Sequence, residues 1–234
     1  MNEKIAKALA DINVVKFGEF TLASGLVSPI YVDLRILPSY PDAMGVVSEE
    51  LVKVVKKLKP EVVAGAETAG IPLATAISLK TKIPMIYVRK RPKSYGRGEQ
   101  IEGVLEKDAK VILIDDMATN AYSKIKFIEG IKHSEGVVED VLIVLDRGQG
   151  GVEALAKENV KLHSLITLKE LLEYMKGKNL IDDGKYDEVL AYLEQNKWEW
   201  LFNEKMFNNK KTMTKTIQKI NNKNNTIIKF TIIK

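Results

Sequence analysis

Short, almost continuous apolar runs alternate along this chain with longer segments in which apolar residues recur every three or four positions. The short runs predict strands that are covered on both faces, and the longer segments predict helices packed on them. We therefore predict an α/β fold with a doubly wound, mostly parallel sheet flanked by helices. The predicted strands are Ile30–Leu34, Val62–Ala66, Met85–Val88, Val111–Ile114, Val141–Leu145 and Lys161–Ile166, and the predicted helices are Asp42–Leu58, Ile71–Leu79 and Tyr122–Ile131.

The two ends of the chain differ from this central pattern. The first twelve residues form a charged amphipathic pattern typical of a helix, and two further amphipathic helices are predicted after Leu168, with a break near Gly177 to Gly184. Residues 208–234 contain seven lysines, no acidic residue and many Asn and Ile residues. We predict one domain over residues 1–207 and a biased basic tail over residues 208–234.

Charge and composition exclude several classes of function. The formal net charge is +5, but residues 1–207 carry 29 basic and 31 acidic residues, a net of −2, so no nucleic-acid partner is predicted. No run approaches the roughly 20 apolar residues of a membrane span, and the N-terminus does not resemble a signal peptide, so we expect a cytosolic protein with no membrane partner. The absence of cysteine and the presence of only two histidines exclude thiolate zinc sites and multi-histidine metal clusters.

The first candidate for chemistry is the segment Val111–Ser123. Four aliphatic residues run into Asp115 and Asp116, and a short polar turn then opens a predicted helix. In doubly wound sheets, ligands bind outside the carboxyl ends of the strands, where a helix N-terminus favours a phosphate group. Two carboxylates at this position would repel a phosphate unless they face vicinal hydroxyls or a divalent cation. A ribose 5-phosphate carries both the hydroxyls and the phosphate, so it fits the pattern. An acidic cap after a buried strand is the alternative interpretation.

The second candidate is the segment Arg89–Gly98, which places five cations in ten residues directly after a predicted strand. Its proline and glycines disfavour a helix, so the segment is predicted to be a mobile cationic lid over a polyphosphate or, alternatively, a solvated basic loop. The sequence contains no GxxxxGK[ST] motif and no GxGxxG motif that opens a helix. These absences speak against a nucleoside triphosphatase and a dehydrogenase.

Two turns rich in small residues follow other predicted strands, at Ala64–Pro72 and Leu145–Gly151. Gly65 and Gly70 would permit a ligand to approach the backbone closely, and Arg147 offers a planar fork for a carboxylate. Purely structural turns are the alternative for both segments.

Four segments together resemble orotate phosphoribosyltransferases, including the corresponding domain of UMP synthase: FGEFTLASGLVSPIYVDLR, RKRPKSYG, VILIDD and LDRGQGG. The resemblance covers about residues 1–180. It implies the type I phosphoribosyltransferase fold with a small N-terminal hood region, and transfer of a phosphoribosyl group from 5-phosphoribosyl 1-diphosphate to orotate in pyrimidine biosynthesis. It also implies Mg²⁺ as cofactor and a homodimer in which the catalytic loop of one subunit reaches the other subunit's active site.

The same resemblance implies roles for individual residues. The implied catalytic residues are Arg89, Lys90, Lys93 and Asp116. The residues implied to bind phosphoribosyl diphosphate are Thr68, Ala69, Arg89, Lys90, Lys93, Tyr95, Asp115, Asp116, Met117, Ala118, Thr119, Asn120, Ala121, Tyr122 and Ser123. The residues implied to bind orotate are Tyr31, Val32, Thr119 and Arg147. Dedicated protein ligands to Mg²⁺ are not expected, since the ion is held mainly through the substrate, near Asp115 and Asp116.

Three positions depart from the family pattern. Ala23 and Ala69 stand where relatives carry a lysine, and Ala121 stands where the phosphate loop normally has glycine. If residue 121 needs a positive φ, alanine costs about 1 kcal/mol there, and the Tyr122 side chain must point out of the loop. Two alternatives therefore stay open: a phosphoribosyltransferase acting on a purine base, and a non-catalytic regulator that senses phosphoribosyl diphosphate on the same fold.

Overall fold

The computed structural model describes residues 1–21, 27–91 and 100–195 of the 234-residue chain. The strands are β1 (Val15–Thr21), β2 (Val27–Val32), β3 (Val62–Ala66), β4 (Met85–Val88), β5 (Ile101–Glu102), β6 (Lys110–Ala118), β7 (Val137–Asp146) and β8 (Lys161–Thr167). The helices are α1 (Glu3–Asp11), α2 (Pro41–Leu58), α3 (Gly70–Thr81), α4 (Tyr122–His133), α5 (Gly151–Ala156), α6 (Leu168–Gly177) and α7 over residues 183–195, with a 3-10 helix at Leu34–Ser39.

The main sheet has six strands in the order β5-β4-β3-β6-β7-β8, and all of its neighbouring strands are parallel except the short β5. Buried side chains of α1, α2, α3 and α6 cover one face of the sheet, and those of α4 and α5 cover the other. The predicted doubly wound α/β fold is confirmed. Because β3 and β6 are parallel neighbours and the strand order reverses between them, the loops after these strands lie side by side at the same edge of the sheet.

A second, two-stranded sheet lies near the N-terminus, where β1 pairs with β2 in antiparallel fashion. It is the small hood region that the resemblance implied. The prediction of a strand at Ile30–Leu34 was wrong in its bounds and in its pairing, since β2 ends at Val32 and does not join the main sheet. Asp33 ends the strand because its carboxylate accepts the backbone N–H of Arg35 and caps the 3-10 helix that follows.

The two helices predicted after Leu168 are confirmed within the described part of the chain. Thr167 and Glu170 form a capping box at the start of α6, and Leu172 of α6 and Val189 of α7 are fully buried in the main core. The predicted tail at residues 208–234 lies outside the described residues, so that boundary stays a prediction. No helix among the described residues is long and apolar enough to cross a membrane.

Strand β7 contains one residue more than β6 at the start of their pairing. Val111 pairs with Val138 whereas Ile112 pairs with Asp140, so the residue between the two β7 partners, Glu139, is the additional one. Beyond this bulge the two strands pair residue by residue to their carboxyl ends. Residues of β6 and β7 that lie side by side therefore share a face of the sheet throughout the second half of both strands.

Candidate active site

The two adjacent acids near the end of β6 lie on opposite faces of the sheet. Successive side chains of a strand alternate between faces, and here Asp115 contacts α4 while Asp116 lies on the side of α3. The carboxylate of each residue also accepts the backbone N–H of the residue that follows, at 2.9 Å for Asp115 and 2.7 Å for Asp116. The strand therefore separates the environments of the two acids, although they are neighbours in the sequence.

Asp115 forms a buried ion pair with Lys124 in the first turn of α4. The Lys124 Nζ lies 2.8 Å from the Asp115 Oδ2 and 3.5 Å from the Ser123 Oγ. Sequence reasoning missed Lys124. A signal was present, because Lys124 occupies the same helical phase as Phe127, Ile128 and Ile131, a stripe that is otherwise apolar and buried.

Asp116 lines a cavity of about 160 Å³ at the edge of the sheet. The other lining residues come from the 3-10 helix, the turn before α3, α3 itself and β7: Leu34, Arg35, Leu37, Pro38, Thr68, Ala69, Pro72, Leu73 and Val144. Burial and the neighbouring Asp115 carboxylate raise the pKa of Asp116 to about 6, against the opposing effect of Lys124. Three predicted site residues, Thr68, Ala69 and Asp116, thus share one cavity.

The turn between β3 and α3 fits tightly against the end of β6. A Cβ atom added to Gly70 would lie 2.2 Å from the backbone oxygen of Ile114, so no other residue fits without moving the backbone. This contact sets the distance between the turn at Thr68 and Ala69 and the acids that follow Ile114.

The turn between β6 and α4 has the strained backbone that its sequence indicated. Ala121 is buried and adopts a left-handed conformation with φ of 56°, and the Tyr122 side chain is 43% exposed. The Asn120 Oδ1 accepts the backbone N–H of Tyr122 at 3.2 Å, so this side chain occupies one of the donors at the start of α4. The remaining loop residues divide between surface and core, since Thr119 and Ser123 are partly exposed while Met117 and Ala118 pack inward.

Hydrogen bonds join the two ends of the basic segment that follows β4. The backbone N–H of Arg89 donates to the Gln100 carbonyl at 2.9 Å, and the Gln100 amide donates to the Arg89 carbonyl at 2.7 Å. The Arg89 guanidinium is paired with Glu102 of β5 at 3.1 Å. Lys90 is exposed, and its backbone N–H donates to the Glu67 carboxylate at 2.6 Å, which joins the segment to the turn after β3. Lys93 and Tyr95 lie outside the described residues.

Arg147 follows directly after β7 and is only 8% exposed. Its backbone N–H donates to the Ala118 carbonyl at 3.0 Å, which places it beside the end of β6. The Nε and Nη2 atoms of its guanidinium are buried and have no hydrogen-bond partner in the described part of the chain. Burial lowers the pKa of Arg147 from its usual value, against the opposing effect of Tyr192. A buried guanidinium with unused donors is costly unless an anion binds to it.

The residues expected around orotate are spread over several positions. Tyr31 of β2 is half-buried, stacks on Phe20 with ring centroids 5.5 Å apart, and accepts a hydrogen bond from Arg35, which itself lines the Asp116 cavity. The Val32 side chain lies in the hydrophobic core instead of on the cavity surface. The hood sheet is therefore linked to the cavity indirectly, through the hydrogen bond that Arg35 donates to Tyr31.

Comparison with known proteins identifies the family. No protein-family model matches the chain. The orotate phosphoribosyltransferase of Pyrobaculum aerophilum is 40% identical over 190 residues, which cover 81% of this chain and 97% of that protein. The chain belongs to the orotate phosphoribosyltransferase family. The curated relatives carry this name, which supports the orotate reading over both the purine-specific enzyme and the regulator.

Solved structures agree with this family. The orotate phosphoribosyltransferase of Aeropyrum pernix has a TM-score of 0.66 at 34% identity and covers 73% of this chain and 98% of its own. The UMP synthase of Leishmania donovani has a TM-score of 0.75 at 35% identity and covers 82% of this chain. This chain spans only 42% of that longer protein.

Proposed function

We propose that this chain transfers the phosphoribosyl group of 5-phosphoribosyl 1-diphosphate to orotate and so forms orotidine 5′-monophosphate and diphosphate in UMP biosynthesis. The observation that carries the proposal is the buried guanidinium of Arg147, which has unused donors at the carboxyl edge of the sheet. Orotate is a planar base that carries a carboxylate, and a guanidinium can bind a carboxylate through two parallel hydrogen bonds. A neutral purine offers no such anion.

The chemical step needs electrostatic stabilisation more than a covalent nucleophile. The bond from the ribose C1 to the diphosphate breaks as C1 bonds to the orotate N1, and the N1 proton is released to the departing diphosphate or to water. Positive charge develops on the sugar and negative charge on the leaving group. Lys90 and Lys93 are proposed to stabilise the departing diphosphate. Arg89 is proposed to act from the base of the same segment, where it is paired with Glu102.

The cavity lined by Asp116 is proposed to receive the ribose and the adjoining part of the diphosphate. Thr68 and Ala69 form one wall and would contact the diphosphate, while Asp116 would accept hydrogen bonds from the ribose hydroxyls. Burial raises the pKa of Asp116 to about 6, which is still below neutral pH, so its carboxylate is mostly ionised there and can accept these bonds. The turn from Thr119 to Ser123 is proposed to hold the 5′-phosphate.

The residues present fit a Mg²⁺ ion that is carried by the substrate. The described residues contain no group of three His, Cys, Asp or Glu side chains that could form a protein cage for a metal, and Asp115 is already paired with Lys124. Asp116 would be the protein oxygen nearest to such an ion, and Mg²⁺ in such sites typically combines one or two carboxylates with substrate phosphates and water. When bound, the ion would neutralise charge on the diphosphate.

A homodimer in the cytosol completes the proposal. The ten residues between Arg89 and Gln100 include four basic residues, and hydrogen bonds between Arg89 and Gln100 join the two ends of this segment, so we expect its cations to serve a neighbouring site. In the proposed dimer, Lys93 of one subunit reaches the diphosphate bound by the other. Orotate, phosphoribosyl diphosphate and Mg²⁺ are the only ligands that this proposal requires.

The proposal is tested by following the ultraviolet absorbance of orotate when the purified full-length chain is mixed with phosphoribosyl diphosphate and Mg²⁺. We expect orotate to be consumed and diphosphate to be released in equal amounts. Adenine and hypoxanthine serve as controls and should not be consumed. Consumption of a purine instead of orotate, or binding of phosphoribosyl diphosphate with no turnover of any base, would contradict the proposal.

Restoring glycine in the phosphate loop should stabilise the protein. Ala121→Gly removes a left-handed alanine at a helix N-cap, a position where glycine is also the better residue, and the expected gain is about 1 kcal/mol in the free energy of unfolding. Urea unfolding measures this gain. The affinity for phosphoribosyl diphosphate should improve as well, because the loop can then adjust to the phosphate.

Lys59→Gly is the matched control for that substitution. Lys59 is exposed and left-handed, with φ of 51°, and it ends α2 away from the candidate active site. It should be stabilised by a similar amount with no change in substrate affinity. If Ala121→Gly leaves the affinity unchanged or weaker, the native loop already has the geometry that the phosphate requires.

A further inference from the structure

Lys124 is a buried cation that the mechanism described above does not use. It lies in the first turn of α4 and is 6% exposed, as is its partner Asp115. A lysine side chain is rarely buried to this extent unless a specific partner compensates its charge. Its ammonium lies 2.8 Å from the Asp115 Oδ2 and 3.5 Å from the Ser123 Oγ. The ammonium therefore lies between an acid at the end of β6 and the last residue of the phosphate loop.

The position of this ion pair along the chain gives it a structural consequence. Asp115 precedes the phosphate loop and Lys124 follows it, so the pair joins the two ends of the turn. Within the loop, Ala121 has a left-handed backbone and the Asn120 side chain accepts the backbone N–H of Tyr122. Neither feature joins the loop to the strand before it. The ion pair is thus a side-chain link between the strand and the helix on either side of the loop.

The charges lead to the same conclusion. A phosphate held by Ser123 would lie close to the Asp115 carboxylate, and two negative groups in a buried setting repel each other strongly. With Lys124 in place, Asp115 and Lys124 together are neutral, so the phosphate meets no net charge on that side of the loop. Asp116 lies on the opposite face of the sheet and remains available to the ribose.

We propose that Lys124 is a positioning residue for the 5′-phosphate: it acts through Asp115, whose carboxylate it neutralises and holds away from the bound phosphate. This inference rests on the proposed function, because it assumes that the turn before α4 receives the phosphate of a phosphoribosyl group. Lys124 itself is not assigned a contact with substrate.

The test compares Lys124→Met with the double variant Lys124→Met/Asp115→Asn in the full-length protein. Isothermal titration with ribose 5-phosphate, without Mg²⁺, measures the affinity of each folded variant. Lys124→Met leaves the Asp115 charge uncompensated and should weaken binding about tenfold or more. The double variant removes both charges and should bind ribose 5-phosphate more tightly than Lys124→Met does.

Lys126→Met is the matched control, since Lys126 is an exposed lysine two residues further along α4 whose ammonium lies over the Tyr122 ring at 4.6 Å. It removes the same formal charge from the same helix and should change the affinity less than twofold, as expected for a solvent-screened charge. The KM of Lys126→Met for orotate should stay near the wild-type value.

Three outcomes would overturn the inference. If the double variant binds no better than Lys124→Met, Lys124 contacts the phosphate directly. If Lys124→Met melts at a lower temperature but binds ribose 5-phosphate like the wild type, the ion pair is structural only. If Lys124→Met fails to fold, Asp115→Asn provides the test, because it keeps the ammonium and removes the carboxylate. Inorganic phosphate should then bind severalfold more tightly than to the wild type, and weaker binding would contradict the inference.

These failures differ from a failure of the proposed function. Wild-type protein that neither binds ribose 5-phosphate nor consumes orotate would remove the basis of both proposals. Wild-type turnover combined with an unaffected Lys124→Met variant would remove only the inference about Lys124.

Discussion

Replacing Arg147 by methionine is expected to lower kcat/KM for orotate by about 10²- to 10³-fold. The guanidinium is buried with unused donors, so the orotate carboxylate would become buried without a partner once the guanidinium is removed. The same substitution should stabilise the free protein, because methionine does not need the hydrogen bonds that Arg147 lacks. A gain of about 1 kcal/mol would raise the melting temperature by roughly 2–4 °C.

Steady-state kinetics with varied orotate and a thermal melt without substrate check both parts of this prediction. Arg147→Lys is the control, since it keeps the positive charge but loses the planar fork, and it should give an intermediate kcat/KM. A methionine variant with normal orotate kinetics would show that Arg147 does not bind the base. A variant that melts at a lower temperature would show that the guanidinium already has a partner in the free protein.

Replacing Lys93 by alanine is expected to lower kcat by about 10²- to 10³-fold and to leave the melting temperature unchanged. Lys93 belongs to the basic segment whose two ends are joined at Arg89 and Gln100. Its cation is proposed to act on the charge that develops on the leaving diphosphate, so its loss should affect turnover more than substrate binding. Lys107→Ala is a suitable control, because it removes an exposed lysine that is paired with Glu135.

Mixing the two inactive variants tests whether the loop is shared between subunits. In a dimer of one Lys93→Ala and one Arg147→Met subunit, a loop that serves the partner's site leaves one site with both residues intact. After exchange of subunits, the mixture should recover about a quarter of the wild-type activity. If activity does not return although the subunits exchange, each loop serves its own subunit.

The strands in the centre of the sheet could be predicted from sequence, whereas those at its margin and in the hood could not. The segment Val62–Ala66 is entirely apolar or small and is buried at every position, so its pattern has one interpretation. The two-residue β5 is too short to show any period, and β1 alternates polar with apolar residues around Gly18. Such strands are defined by their pairing partners, which a local pattern does not contain.

The same distinction applies to the candidate active site. Asp115, Asp116 and Arg147 were identified because each follows an apolar strand, and the topology of a parallel sheet brings such positions to one edge. The different environments of Asp115 and Asp116 were not predicted, because they depend on which helix covers each face of the sheet. Lys124 was missed because its partner lies nine positions earlier across a turn, where no periodic pattern links the two residues.

The additional residue in β7 has a consequence for how this family can vary in length. Glu139 lies at the exposed start of the strand, about 20 Å from its carboxyl end at Asp146. Deleting Glu139 would remove the bulge and leave every later pair of β6 and β7 unchanged, so Val144 would still lie beside Asp116 at the cavity and Asp146 would still lead into Arg147. This surface position can therefore lose a residue while the carboxyl end of the strand keeps its partners, because the bulge absorbs the difference in length between the two strands.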